Sequence, residues 1–182
     1  MPDEVDRKEI HHRQLDIRFF QRSDGLFEVE GRLIDRKTHP FRRLLHDRDT
    51  PAGTPLHDIV VRLVVDEDLL VHDASAQLSA SPFGVCRGAA DTLAPLKGLR
   101  IGAGWNKRVR ELLGGAASCT HIVELLGPMA TTVHQGLAPQ RLARLTQQGG
   151  DAHQAKLDSC YAYASHREVV AQLWPSLHKR GE

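Results

Sequence analysis

Ser118-Cys119-Thr120-His121 sets a thiol and an imidazole two residues apart, immediately before a helical pattern. Free N–H groups and the positive end of the dipole make a helix start favourable to anions. A cysteine there can bind a metal or attack an electrophile. Residues two apart on a helix point about 200° apart, so Cys119 and His121 can meet one ion only if Cys119 lies outside the regular helix. Thr120 as N-cap would allow that, with Cys119 in the preceding loop. The bland alternative is a small buried thiol beside an exposed imidazole. His57 supplies a partner, at the start of an apolar strand and on the face of Ile59, Val61, Leu63 and Val65, beside Asp58. Cys86 and Cys160 each stand at a further expected helix start. Thiolates with imidazoles are the ligand types of zinc and of iron–sulfur centres, although no CxxC pair is present. His57, Asp58, Cys86, Cys119, His121 and Cys160 are therefore the candidate metal ligands.

A second, weaker constellation ends the second strand. Asp35 and Lys37 are candidate catalytic residues as an acid/base or substrate-binding pair, against the ordinary alternative of a solvated ion pair. Asp35 also suits a different task. Neighbouring strand residues point to opposite faces, so Asp58 is badly placed to orient His57, whereas Asp35 shares the face of Leu33. The loop arginines Arg42, Arg43 and Arg48 could clamp a carboxylate or phosphate. Gly98, Gly102 and Gly104 follow no strand and lack the Lys-Ser/Thr of a phosphate loop, which excludes that mode of nucleotide binding. His11, His12 and His178 fall in expected termini and receive no role.

The elements that must position these residues read as strands first and helices after. Leu15, Ile17 and Phe19 alternate with polar residues, Ser23-Asp24-Gly25 is turn chemistry, and Phe27, Val29 and Leu33 share one face of a second strand. His39 to Pro55 is a long charged loop. Strands return at 56–65 and 69–78, rich in Val, Ile and Leu. Helical texture follows over 85–97, 105–113, the stripe Ile122, Leu125, Leu126, Met129, Val133 with a break at Gly127-Pro128, 137–145 and 160–177. The expectation is an α+β fold, an antiparallel β-meander followed by helices on the sheet face of Val29, Leu33, Ile59, Val61 and Leu63. It comprises a flexible arm over 1–14 and a single domain over 15–182.

Arg22-Ser23-Asp24-Gly25-Leu26, Gly31-Arg32-Leu33-Ile34-Asp35, Pro55-Leu56-His57-Asp58, Cys119-Thr120-His121, Leu157-Asp158-Ser159-Cys160 and Trp174-Pro175 resemble the bacterial family known as domain of unknown function 2889, over residues 12–178. That resemblance implies no activity. The order Gly53-Thr54-Pro55-Leu56-His57-Asp58, apolar strands, a Cys-bearing helix with Leu96 to Gly98, then Cys119 is similar to iron–sulfur scaffold proteins of the NifU/IscU and SufU type. The similarity implies ligand positions near His57-Asp58, at Cys86 and at Cys119. The departures are His57 in place of a thiol and compressed spacings.

Composition bounds the function. The 182 residues carry 24 Lys+Arg against 23 Asp+Glu, a formal charge of +1, without the basic excess of a nucleic-acid binder. No apolar run approaches the ~18 residues of a membrane span, and the charged first residues lack the apolar centre of a secretory signal. Three cysteines without that signal point to reduced thiols in a cytoplasm. The leading expectation is a cytoplasmic metal-binding protein holding zinc or an iron–sulfur cluster. A metal-dependent hydrolase or lyase acting on a small carboxylate or acyl compound is the first alternative, and a metal-free interaction protein the second. Neither a nucleic-acid nor a membrane partner is expected, and the sequence assigns no oligomeric state.

Overall fold

The computed structural model describes residues 5–179. Its first compact unit runs to Gly136 and its second begins at Leu137. Residues 1–4 of the expected arm lie outside the described residues.

The first unit is built on a four-stranded antiparallel sheet of β1 (His11–Gln21), β2 (Phe27–Lys37), β5 (Pro55–Val65) and β6 (Val71–Ala80), in the order β1-β2-β5-β6. A two-residue hairpin, β3 (Phe41–Arg42) with β4 (Asp49–Thr50), sits in the long loop. The β1–β2 reversal is made by Gly25 at φ 84°, a left-handed conformation that costs glycine nothing. Period-two patterning decides which face is covered: Phe27, Val29, Leu33, Ile59, Val61, Leu63 and Val65 are all buried. The opposite face is laced by ion pairs, including Arg62 with Glu30 and Arg32 with Asp58.

Helical structure follows the strands, as expected: a 3₁₀ segment (Gly84–Leu96), α1 (Trp105–Leu113), a 3₁₀ turn (Gly115–Ala117) and α2 (Thr120–Gln147). Ile122, Leu125, Leu126, Met129 and Val133 form the buried stripe of α2. This helix lies tight on the sheet. A Cβ on Gly31 of β2 would stand 2.8 Å from the Met129 sulfur, and one on Gly136 would overlap the ring of Phe19. Glycine on both elements is what lets strand and helix come that close. The expected break at Gly127-Pro128 does not occur, and 137–145 is part of the same helix. Proline at 128 removes only the one N–H that would serve the Glu124 carbonyl, and the residues on either side, Leu126 and Met129, are buried in the core. Nearby, Trp105 Nε1 donates to the Leu126 carbonyl at 3.0 Å, and Thr131 and Thr132 donate back to the Gly127 and Pro128 carbonyls.

Three other boundaries differ from expectation. Strand β1 starts at His11, so residues 11–14 belong to the sheet and not to an arm. The helix expected over 85–97 is the 3₁₀ segment Gly84–Leu96 and not α, in keeping with Gly88 and Pro95. The expected helix over 160–177 is reduced to α4 (Glu168–Leu173) and a 3₁₀ turn (Pro175–Leu177). Asp158, at φ 57°, accepts the Ser165 N–H and holds a loop there instead. In this second unit α3 (Ala152–Lys156) is capped by Asp151, and Trp174 stacks with His153 and Tyr163. Among the described residues no helix is long and apolar enough to cross a membrane.

Candidate metal centre

Sheet register brings three residues of the first unit into one row. Arg13 of β1 is the cross-strand partner of Asp35 on β2, and Asp35 is the partner of His57 on β5. All three fall on the covered face, where the apolar pattern gives way to polar side chains at the end of the sheet. Helix α2 adds its first turn: His121 and Glu124, three apart, share a side of the helix.

Asp35 is at the centre, with a side chain only 1% exposed. Its Oδ1 accepts from Arg13 Nε at 2.8 Å and from His11 Nε2 at 3.0 Å. Its Oδ2 accepts from Arg13 Nη2 at 2.8 Å and from His57 Nδ1 at 3.0 Å, and His121 Nε2 stands 3.7 Å away. Arg13 reaches onward to Glu124 at 2.6 Å, so one guanidinium holds two carboxylates from two elements. The rings of His57 and His121 lie 3.8 Å apart between centroids. On the far side of His121, Nδ1 is 3.6 Å from Cys119 Sγ.

The electrostatics follow from these contacts. Burial works against a charge on Asp35, but the hydrogen bonds from Arg13 and His11, with the Arg13 charge, overcome it and hold the carboxyl well below the usual range. Asp35 is therefore ionised, and in the ion-free cluster the two imidazole nitrogens hydrogen-bonded to it, His11 Nε2 and His57 Nδ1, carry the proton. Burial pushes His57 down, helped by the charge of Arg13 and opposed by Asp35. Burial and then the neighbouring His57 lower His121. Both imidazoles are thus neutral near pH 7, the form that ligates metals. Arg13 is driven further up by its hydrogen bond to Asp35.

One ligand atom each from Asp35, His57 and His121 lie within 4.8 Å of one another. Tetrahedral zinc with bonds of ~2.0–2.2 Å separates its N and O donors by about 3.3 Å. His121 Nε2, at 3.7 Å from Asp35 Oδ2, is close to that spacing, and His57 Nδ1, at 3.0 Å, would exchange its hydrogen-bonded proton for the ion.

The sequence candidates divide on this geometry. His57, His121 and Asp35 meet, and the expected hydrogen bond between His57 and Asp35 is present. Cys119 lies outside the regular helix as its spacing required, because it is itself the N-cap: its carbonyl accepts the Val123 N–H at 3.1 Å. Asp58 points to the opposite face and is bound at both oxygens by Arg32, at 2.9 and 2.8 Å. Arg32 holds its carboxyl below the usual range. Cys86 lies half-buried in the 3₁₀ segment, and Cys160 is exposed in the second unit. Among the described residues neither joins a group of three ligand atoms, and no cysteine cluster supports an iron–sulfur centre. Lys37 is not among the described partners of Asp35; Arg13 takes that place. His11, Arg13 and Glu124 were not expected in the site. The signal for the first two was available, since His11 and Arg13 continue the alternation of Leu15, Ile17 and Phe19.

The family profile described as Protein of unknown function (DUF2889) matches residues 11–135. The chain belongs to this family. Every residue of the cluster falls within the match, whereas the motifs at 157–160 and 174–175 lie beyond it. No curated protein and no solved structure matches the chain, so the similarity to iron–sulfur scaffold proteins finds no support.

Proposed function

We propose that this DUF2889 protein binds one divalent metal ion, zinc foremost, through Asp35, His57 and His121. The observation that carries the reading is the convergence of three ligand atoms from β2, β5 and α2 within 4.8 Å. Arg13 and His11 hold the carboxylate before any ion arrives. A buried carboxylate with two neutral imidazoles is a donor set that zinc accepts, and that mononuclear iron(II) and manganese(II) accept as well. Arg13 offsets the charge of Asp35, and Glu124 offsets that of Arg13, so the cluster retains negative charge to attract a cation.

Three protein ligands leave a position open, as in metal sites that do chemistry and unlike closed structural ones. An ion there would polarise a substrate oxygen or lower the pKa of a bound water. This supports a hydrolase or lyase acting on a small carboxylate or acyl compound as the reaction class, with Arg13 and His11 held against Asp35. The three cysteines are all free thiols, which supports a reducing cytoplasm as the compartment.

The test is elemental analysis of the purified protein, followed by calorimetric titration of chelator-stripped protein with zinc, iron(II) and manganese(II). The expected result is saturation at one ion per chain, lost in His57→Ala and in His121→Ala while the fold is retained by circular dichroism. Absence of saturable binding, or equal binding by both variants, refutes the reading.

A further inference from the structure

Cys119 approaches the metal cluster from the wrong side to belong to it. Its sulfur is 3.6 Å from Nδ1 of His121, whereas it is Nε2 of that ring which stands 3.7 Å from Asp35 Oδ2. The sulfur and the ligand cluster therefore meet different nitrogens of one imidazole. Cys119 is held in place independently of any ion. It caps α2 through its carbonyl, and its neighbour Ser118 shares a 2.6 Å hydrogen bond with Thr92 of the 3₁₀ segment.

We propose that Cys119 is the positioning residue of the metal centre: its sulfur accepts the Nδ1–H of His121 and so commits Nε2, as a lone pair, to the ion. The proposal rests on the metal-binding reading of Asp35, His57 and His121. Metal-ligating histidines generally donate their other N–H to an acceptor that fixes tautomer and ring orientation, and loss of that acceptor costs about 10–100-fold in affinity. Sulfur is a weak acceptor, but here it is pre-placed by the helix start. The two residues act across one imidazole and do not chelate together, which explains why a thiol and a histidine at a spacing of two belong to one site.

The experiment compares wild type, Cys119→Ser and Cys119→Ala in two measurements. Cobalt(II) titrations of chelator-stripped protein are followed by absorption. Wild type is expected to show visible ligand-field bands without an intense near-ultraviolet sulfur-to-cobalt band. Cobalt affinity should fall by about 10–100-fold in Cys119→Ala and recover in Cys119→Ser, whose hydroxyl accepts the same N–H. In metal-free protein, nitrogen NMR should place the His121 proton on Nδ1 in wild type and lose that preference in Cys119→Ala. A thiolate band that disappears in Cys119→Ser would make Cys119 a ligand and overturn the proposal. An alanine variant with wild-type affinity and tautomer would overturn it as well. If no variant binds cobalt, the metal reading fails, and the tautomer comparison alone decides whether Cys119 positions His121.

Discussion

Replacing Asp35 with asparagine tests the site and the fold at one atom. The wild-type carboxylate accepts four donors, two on each oxygen: Arg13 Nε and His11 Nε2 on Oδ1, Arg13 Nη2 and His57 Nδ1 on Oδ2. Asparagine keeps the shape but offers one acceptor oxygen, and its NH2 then faces two donors. Hydrogen bonds to charged groups contribute about 1.5–3 kcal/mol each. Water can recover part of this loss, because Arg13 and His11 side chains are 35% and 32% exposed, and Arg13 keeps Glu124. A cost of about 2–4 kcal/mol remains, equivalent to a fall in Tm of about 5–15 °C for a chain of this size. The measurement is a thermal melt by circular dichroism at pH 7 in chelator, so that no ion contributes. A second melt with zinc at 100 times its dissociation constant should stabilise wild type by about 2.7 kcal/mol and leave Asp35→Asn unmoved. A variant melting within about 1 °C of wild type, or one stabilised by zinc to the same extent, would show that Asp35 neither organises the cluster nor contributes to binding.

Gly31→Ala should destabilise by about 1–3 kcal/mol, at the lower end because the atom it meets is the flexible end of Met129; urea denaturation measures it, and an unchanged midpoint would contradict the close strand–helix approach. Trp105→Phe should cost about 1–2 kcal/mol, since it abandons the buried Leu126 carbonyl that the indole N–H serves; the check is the same denaturation with α-helix content followed separately. Asp66 in the β5–β6 turn gives a pH dependence. Burial opposes its charge, but hydrogen bonds from His72 and from the Leu70 and Asp68 N–H groups keep its carboxyl below the usual value. The folded state therefore releases this proton more readily than the unfolded one. Its stabilisation is complete above about pH 3.9 and is lost as pH falls toward the lower folded value. Asp66→Asn should flatten that acid limb, measured as unfolding free energy against pH from 6 to 2.5; an unaltered slope would refute the assignment.

The sheet was legible because its residues answer to one rule. A strand with one face on a core alternates, and Val29, Leu33, Ile59, Val61 and Leu63 do so without exception, each fully buried. The helices were less legible because local signals compete there. Gly127-Pro128 reads as a break, yet α2 runs through it with Leu125, Leu126, Met129 and Val133 fully buried and held by partners that include the Trp105 indole, which donates to the Leu126 carbonyl. That indole is 21 residues away, and no window of sequence weighs it. In the stretch after Cys160, the alternative to helix is a loop knit by Asp158, whose left-handed backbone gives no compositional warning.

The site was half legible for the same physical reason that makes it a site. His57 could be found because it continues an apolar face, and Asp35 because it shares the parity of Leu33. His11 and Arg13 occupy the same parity on β1, but polar residues on a covered face look like the end of a strand when the strand is read alone. Only the register, which sets Arg13 opposite Asp35 and Asp35 opposite His57, shows that the polarity is shared across three strands and compensated. Cysteine chemistry misled in the opposite direction. Three thiols near expected helix starts suggested a thiolate centre, but one of those helices does not form at Cys160, and the 3₁₀ segment keeps Cys86 out of the ligand group. What the fold gathers is a carboxylate and two imidazoles, with the one thiol that stays close turned to the back of a ring. The donor set is therefore harder than the sequence alone implies, and as a metal site it would suit oxygen- and nitrogen-binding cations better than sulfur-bound clusters.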